Sequence, residues 1–166
     1  MTRATAVAPS MAPPAQQLAG FLARFEPSIV KTVRAGRVKL RKLLPGAVEL
    51  VYDNYNALAI GFSPTEKATD AVVGLAIYPR WVHLYFMRGA GLPDPKKLLR
   101  GSGNRGRFLQ LSRDAAELDT SDVRALLRAA VKEDEVPLPW SARPALVIKS
   151  VSRKQRPRRP GVRSAP

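Results

Sequence analysis

Between Ala57 and Met87 the chain changes side at every residue. Leu58, Ile60 and Phe62, then Val73, Leu75 and Ile77, then Val82, Leu84 and Phe86 are apolar at every second position. A period of two places successive side chains on opposite faces of a strand, and no helix can hold it over this length. The pattern predicts strands at Val48–Tyr52, Ala57–Ser63, Ala71–Tyr78, Trp81–Met87 and Arg107–Ser112. Asp53-Asn54-Tyr55-Asn56 and Pro79-Arg80 are turns, and Ser63–Asp70 is a polar loop. On either side the period becomes helical. Leu18, Phe21, Leu22 and Phe25 form one amphipathic stripe, and Ile29, Val33, Gly36, Leu40 and Leu43 form another, capped by Ser28 and stopped by Pro45-Gly46. A last helix, capped by Asp119 or Thr120, carries Val123, Leu126, Leu127, Ala130 and Val131 on one face. The fold class is therefore α+β, an antiparallel five-stranded sheet with helices packed on one face. Ala145–Val151 supplies a sixth strand if it joins. The chain divides into an open Ala/Pro-rich tail (1–17), the α+β body (18–135), a Pro-rich extension (136–151) and an open basic tail (152–166).

The same alternation sorts the far face of the sheet. Ala59, Gly61, Val72, Gly74, Ala76, Tyr78, Trp81, His83, Tyr85 and Met87 share the parity that points away from the helices. Small residues there alternate with amphipathic rings. Either Trp140 and the C-terminal segment fold back over this face, or it is a shallow surface with aromatic walls, open to a ligand or partner. Tyr52 and Tyr55, at the end of the first strand and its turn, extend such a surface or form a packing corner.

Composition removes several chemistries. The chain has no Cys, which excludes disulfides, thiolate metal sites and a Cys nucleophile, and its single His, His83, leaves little for a His-built metal site or a Ser-His-Asp triad. No pair of carboxylates has the surroundings of a general acid and base. The chain reads as a non-enzyme without cofactor or metal. With 28 Lys+Arg against 13 Asp+Glu, the formal net charge is +15, which favours anionic partners. Helix 28–44 exposes Lys31, Arg34, Arg37, Arg41 and Lys42. The last segment holds Arg153, Lys154, Arg156, Arg158 and Arg159 among prolines, with no acid from Lys149 onward. That tail is either solubilising or a contact for nucleic acid phosphates. Arg124, Arg128 and Lys132 mark a solvated helix face. No targeting segment stands out, and the longest apolar run, Ala71 to Tyr78, is far shorter than a membrane span, so no membrane insertion is expected. The chain reads as a cytoplasmic protein, with no oligomeric state implied.

Gly101-Ser102-Gly103-Asn104-Arg105-Gly106-Arg107 is a further candidate. Closely spaced glycines let backbone N–H groups converge on an anion, with Arg105 and Arg107 adding charge-assisted hydrogen bonds. It lacks the Gly-Lys-Ser/Thr of a P-loop and the strand-loop-helix order of a dinucleotide site. The competing reading is a surface loop.

Four segments resemble the YdhG-like domain family: ELVYDNYNALAIGFS (49–63), AIYPRWVHLYFMRGAGLPDP (76–95), KLLRGSGNRGR (97–107) and LDTSDVRALLRAA (118–130). The resemblance spans roughly residues 20–133 and implies a compact fold of helices on an antiparallel sheet. Some members of the family carry a frataxin-like, iron-chaperone label. An iron site of that kind uses an acidic ridge on the first long helix. Here that helix is basic, and the acids Asp114, Glu117, Asp119 and Asp122 sit where they cap a helix and complement its dipole. The sequence-based expectation is a small non-catalytic protein binding an anionic, phosphorylated ligand through Tyr52, Tyr55, Trp81, His83, Tyr85 and the 101–107 loop. The alternatives are nonspecific nucleic-acid binding by the basic helix and tail, and iron binding.

Overall fold

The computed structural model describes residues 12–140 and 143–161. In chain order they form α1 (Pro14–Leu22), α2 (Pro27–Leu43), β1 (Val48–Asp53), β2 (Leu58–Ser63), β3 (Val73–Ile77), β4 (Val82–Phe86), β5 (Arg107–Leu111), α3 (Ser121–Glu133) and β6 (Ala145–Val151). The fold is α+β, built on one six-stranded sheet of order β5-β4-β3-β2-β1-β6. Strands β1 to β5 make an antiparallel meander. The expectation of a purely antiparallel sheet is overturned at its edge, where β6 runs parallel to β1. Connectivity explains the difference. A single helix, α3, carries the chain back between β5 and β6, so β6 must run in the same direction as β5, which is also that of β1.

Both N-terminal helices begin on a proline, Pro14 and Pro27. Proline breaks a helix interior but suits its first turn, where the missing N–H has no helical partner. The first helix therefore starts inside the stretch read as an open tail, and Ser28 is not the cap of α2. Thr120 does cap α3, its hydroxyl accepting from the Val123 N–H at 3.3 Å. Gly36 is buried where α2 meets the sheet, facing the Leu75 and Leu111 side chains. Leu58, Ile60, Phe62, Val73, Leu75, Ile77, Val82, Leu84 and Phe86 are all buried with Leu18, Val33, Leu40 and Leu127 of the helices. The parity read from the alternation is thus the core face.

Two carboxylates share that face. Glu49 pairs across with Phe62 and Asp53 with Leu58, so both point beneath the helices. Their side chains are 4% and 1% exposed. Burying a carboxylate is tolerable only with charged partners and hydrogen bonds. Arg37 and Arg41 of α2 close on Glu49, and Arg158 closes on Asp53 at 2.8 Å, with Arg24 at 3.6 Å from the second oxygen.

The C-terminal third departs furthest from expectation. Leu138 enters the core, and Pro139 packs on Gly46, whose φ of +86° and lack of a side chain make room for it. Trp140 is 59% exposed and does not cover the sheet. Beyond β6 the chain, expected to be open from Ser152, instead wraps the β1–β2 turn. Ser152 N–H donates to the Asp53 carbonyl at 2.8 Å and Arg156 N–H to the Tyr55 carbonyl at 2.9 Å. The remainder of both expected tails, 1–11 and 162–166, lies outside the described residues. No described helix is long and apolar enough to cross a membrane.

Candidate functional site

The strand register writes two rows across the face opposite the helices. One runs Ser150, Tyr52, Ala59, Ala76, His83, Gln110, and the next Val147, Leu50, Gly61, Gly74, Tyr85, Phe108. The centre is floored by alanine and glycine, so the sheet backbone there is nearly bare. One end is closed: positions above Gly61 and Gly74 are filled by Ala71 and Met87. The other end, toward the two turns, is open and aromatic.

There the rings form an ordered column. The Trp81 and His83 planes lie within 5° at 6.1 Å, and His83 stacks on Phe108 within 15° at 4.3 Å. Tyr78 leans against both Trp81 and His83, at 6.3 and 5.4 Å. Offset stacking of this kind stabilises each ring's orientation and leaves its outer face for another flat group. Trp81, at the outer end, is 41% exposed. Beside it a cleft of about 500 Å³ opens between the two turns and the C-terminal segment, lined by Asn56, Tyr78, Pro79, Arg156, Pro157 and Arg159. The Arg156 guanidinium sits 5.7 Å over the Tyr55 ring, a cation–π contact that holds the charge at the cleft wall. Arg100 adds a second cation at the opposite flank, its backbone paired to Phe108 by hydrogen bonds of 2.7 and 3.0 Å.

His83 titrates in this setting. Partial burial, and then the charge of Arg100, push its pKa below the ordinary imidazole value. The folded protein therefore prefers His83 neutral. Any stability this contributes is complete above the unfolded value of about 6.5 and is lost as pH falls below it toward the folded value. Because His83 is the only histidine, its ring proton NMR signal reads this directly. The expected midpoint is below 6.5, and a midpoint at or above 6.5 would contradict the stacked, partly buried placement. Burial shifts Tyr52 the other way, raising its pKa, and its hydroxyl is enclosed without a hydrogen-bond partner among the described residues.

The structure stacks Trp81 and His83 with Tyr78 and Phe108, while Tyr52 shares their face three strands away on β1, Tyr55 sits on the β1–β2 turn, and the glycine loop meets the face at Phe108. Tyr85 lies one row further along, its hydroxyl against Gly106, where no side chain would fit. Gly101, Ser102, Gly103 and Arg105 lie at the Phe86 end of β4, whereas Trp81 precedes its Val82 end. Arg107 turns its guanidinium onto the carbonyls of Gly103 and Gly106, so the loop encloses its own arginine. Phe108 completes the column, and its alternation with the core residues Leu109 and Leu111 puts it on the open face.

The expected nucleic-acid residues also separate. Arg37 and Arg41 clamp Glu49, Arg41 with its side chain still 46% exposed, and Arg158 is buried against Asp53. Arg159 lies 3.7 Å from Glu26, and Arg34, Arg153 and Lys154 are exposed. Among the acids, Asp114 faces Lys31 at 3.5 Å, Asp119 faces Lys39 at 2.7 Å, and Glu117 accepts from Ser112. No family model, curated protein or solved structure matches the chain.

Proposed function

We propose that this chain is a YdhG-like domain acting as a non-catalytic binding module for an anionic, ring-bearing ligand of the phosphorylated class. The observation that carries this reading is the stacked column ending on exposed Trp81, next to a cleft walled by Arg156 and Arg159. A flat ring extends the column, and its phosphate meets a guanidinium, the side chain best shaped for it. The reading supposes no reaction: His83 serves as a ring stacked between Trp81 and Phe108. The alternative of phosphate binding through helix α2 and the basic segment loses ground, because Arg37, Arg41 and Arg158 are committed to buried carboxylates.

Tryptophan emission tests this in a Trp140→Phe background, where Trp81 is the remaining indole. Nucleoside monophosphates are expected to quench it saturably, while inorganic phosphate leaves it unchanged. Loss of one stacked ring costs about 1–3 kcal/mol, so an otherwise folded Trp81→Ala protein should bind about 5- to 150-fold more weakly. Absence of saturable quenching by any ring-bearing phosphate would sink the proposal.

A further inference from the structure

Resting on the ring-and-phosphate reading above, we propose that the occupant of this face is a single-stranded nucleic acid, its unpaired bases stacked along the aromatic end of the sheet. Three features extend beyond what one nucleotide needs. First, ring surface is offered at more than one place: Trp81 and Tyr55 are 41% and 42% exposed, one following the β3–β4 turn and the other in the β1–β2 turn, the two turns that line the Asn56–Tyr78 cleft. Second, the cations are spread out. Arg156 stands over the Tyr55 ring beside the β1–β2 turn, and Arg100 pairs with β5 beyond Phe108. From β1 to β5 is four strand spacings, about 19 Å, the rise of about five or six stacked nucleotides at roughly 3.4 Å each. Third, the open row between these flanks is floored by Ala59 and Ala76, so a strand can lie low against the sheet there. A net charge of +15 supplies the complementary field.

The shape selects single strands. Bases in a duplex are stacked on one another and cannot reach a protein ring, whereas splayed bases stack on aromatic side chains whatever their identity. The site is therefore expected to be sequence-tolerant, and RNA and DNA share the chemistry it uses.

The test is fluorescence anisotropy with the full chain and labelled ten-nucleotide oligouridine, oligodeoxythymidine and a ten-base-pair duplex, with uridine monophosphate as competitor. At least one single strand is expected to bind tenfold or more tighter than both the monophosphate and the duplex. Its affinity should fall as salt rises from 50 to 200 mM. Trp81→Ala should weaken it by about tenfold or more, with Trp81→Phe restoring most of the loss. The RNA and DNA arms show which strand the site prefers. If the monophosphate binds and no oligonucleotide binds tighter, the nucleic-acid proposal is overturned while the binding-module reading stands. If neither binds, both fall. Equal affinity for the duplex, or an unchanged affinity in Trp81→Ala, overturns the proposal by showing that charge alone holds the polymer.

Discussion

Replacing Arg158 by alanine is expected to destabilise the fold by about 3–5 kcal/mol, the usual cost of stripping one partner from a buried ion pair. Both side chains of the Arg158–Asp53 pair are 1% exposed. The remaining neighbour of Asp53, Arg24, is 46% exposed and 3.6 Å away, too distant for a full hydrogen bond. The variant would thus hold a carboxylate beneath the helices with little to offset its lost hydration. It would also lose the bond from Arg158 to the Asn54 carbonyl and the packing of the guanidinium over Phe25. Denaturant unfolding reads the change as a lowered midpoint. The pair is incompletely satisfied: Arg158 Nε and Nη1 and Asp53 Oδ2 are buried without hydrogen-bond partners. A double variant, Asp53→Leu with Arg158→Met, should therefore recover most of the loss, because an apolar pair leaves no orphaned charge. A single-variant cost below about 1 kcal/mol would show that the C-terminal segment does not dock in solution as described.

Glu49→Ala is expected to cost about 2–3 kcal/mol, the worth of hydrogen bonds to a charged group. Four bonds of 2.9 to 3.2 Å converge on this carboxylate, two from Arg37 and two from Arg41. The penalty is smaller than at Asp53 because the abandoned partners have somewhere to go. The Arg41 side chain is 46% exposed and can swing into water, while that of Arg37, at 16%, is left nearer the core. The same asymmetry ranks the partners: Arg37→Ala should cost more than Arg41→Ala, which belongs with exposed pairs at about 1 kcal/mol or less. Equal losses for Arg41→Ala and Glu49→Ala would refute this division. Thermal melts of the three variants measure it.

The elements were legible wherever their pattern is local. Alternation placed β2 to β4 within two residues at each end, and the stripe from Val123 to Val131 with Thr120 ahead of it placed α3. What stayed hidden depends on residues far apart in the chain. The direction of β6 follows from the path of α3, not from anything within Ala145–Val151. The inward turn of Glu49 and Asp53 is invisible until Arg37, Arg41 and Arg158 are seen to answer them. A basic, proline-rich run reads as solvated because its one decisive partner, Asp53, precedes Arg158 by 105 residues. The candidate surface was half legible. Parity gathered Trp81, His83 and Tyr85 on one face, but only the register shows that the 101–107 loop lies at its other end.

Parallel pairing of β6 with β1 also bears on how the chain is born. During synthesis β1 meets β2 within a few residues, but β6 and Arg158 emerge about 100 residues later. At roughly 5–20 residues per second, that interval is on the order of 5–20 s. Throughout it the outer rim of β1 lacks its neighbour, and such an edge invites pairing with other chains. Asp53 and Glu49 sit on that strand, and a carboxylate facing inward is one of the devices that discourages wrong partners. Inward carboxylates on that strand are therefore expected to make the exposed rim a poor template for other chains until β6 arrives to cover it.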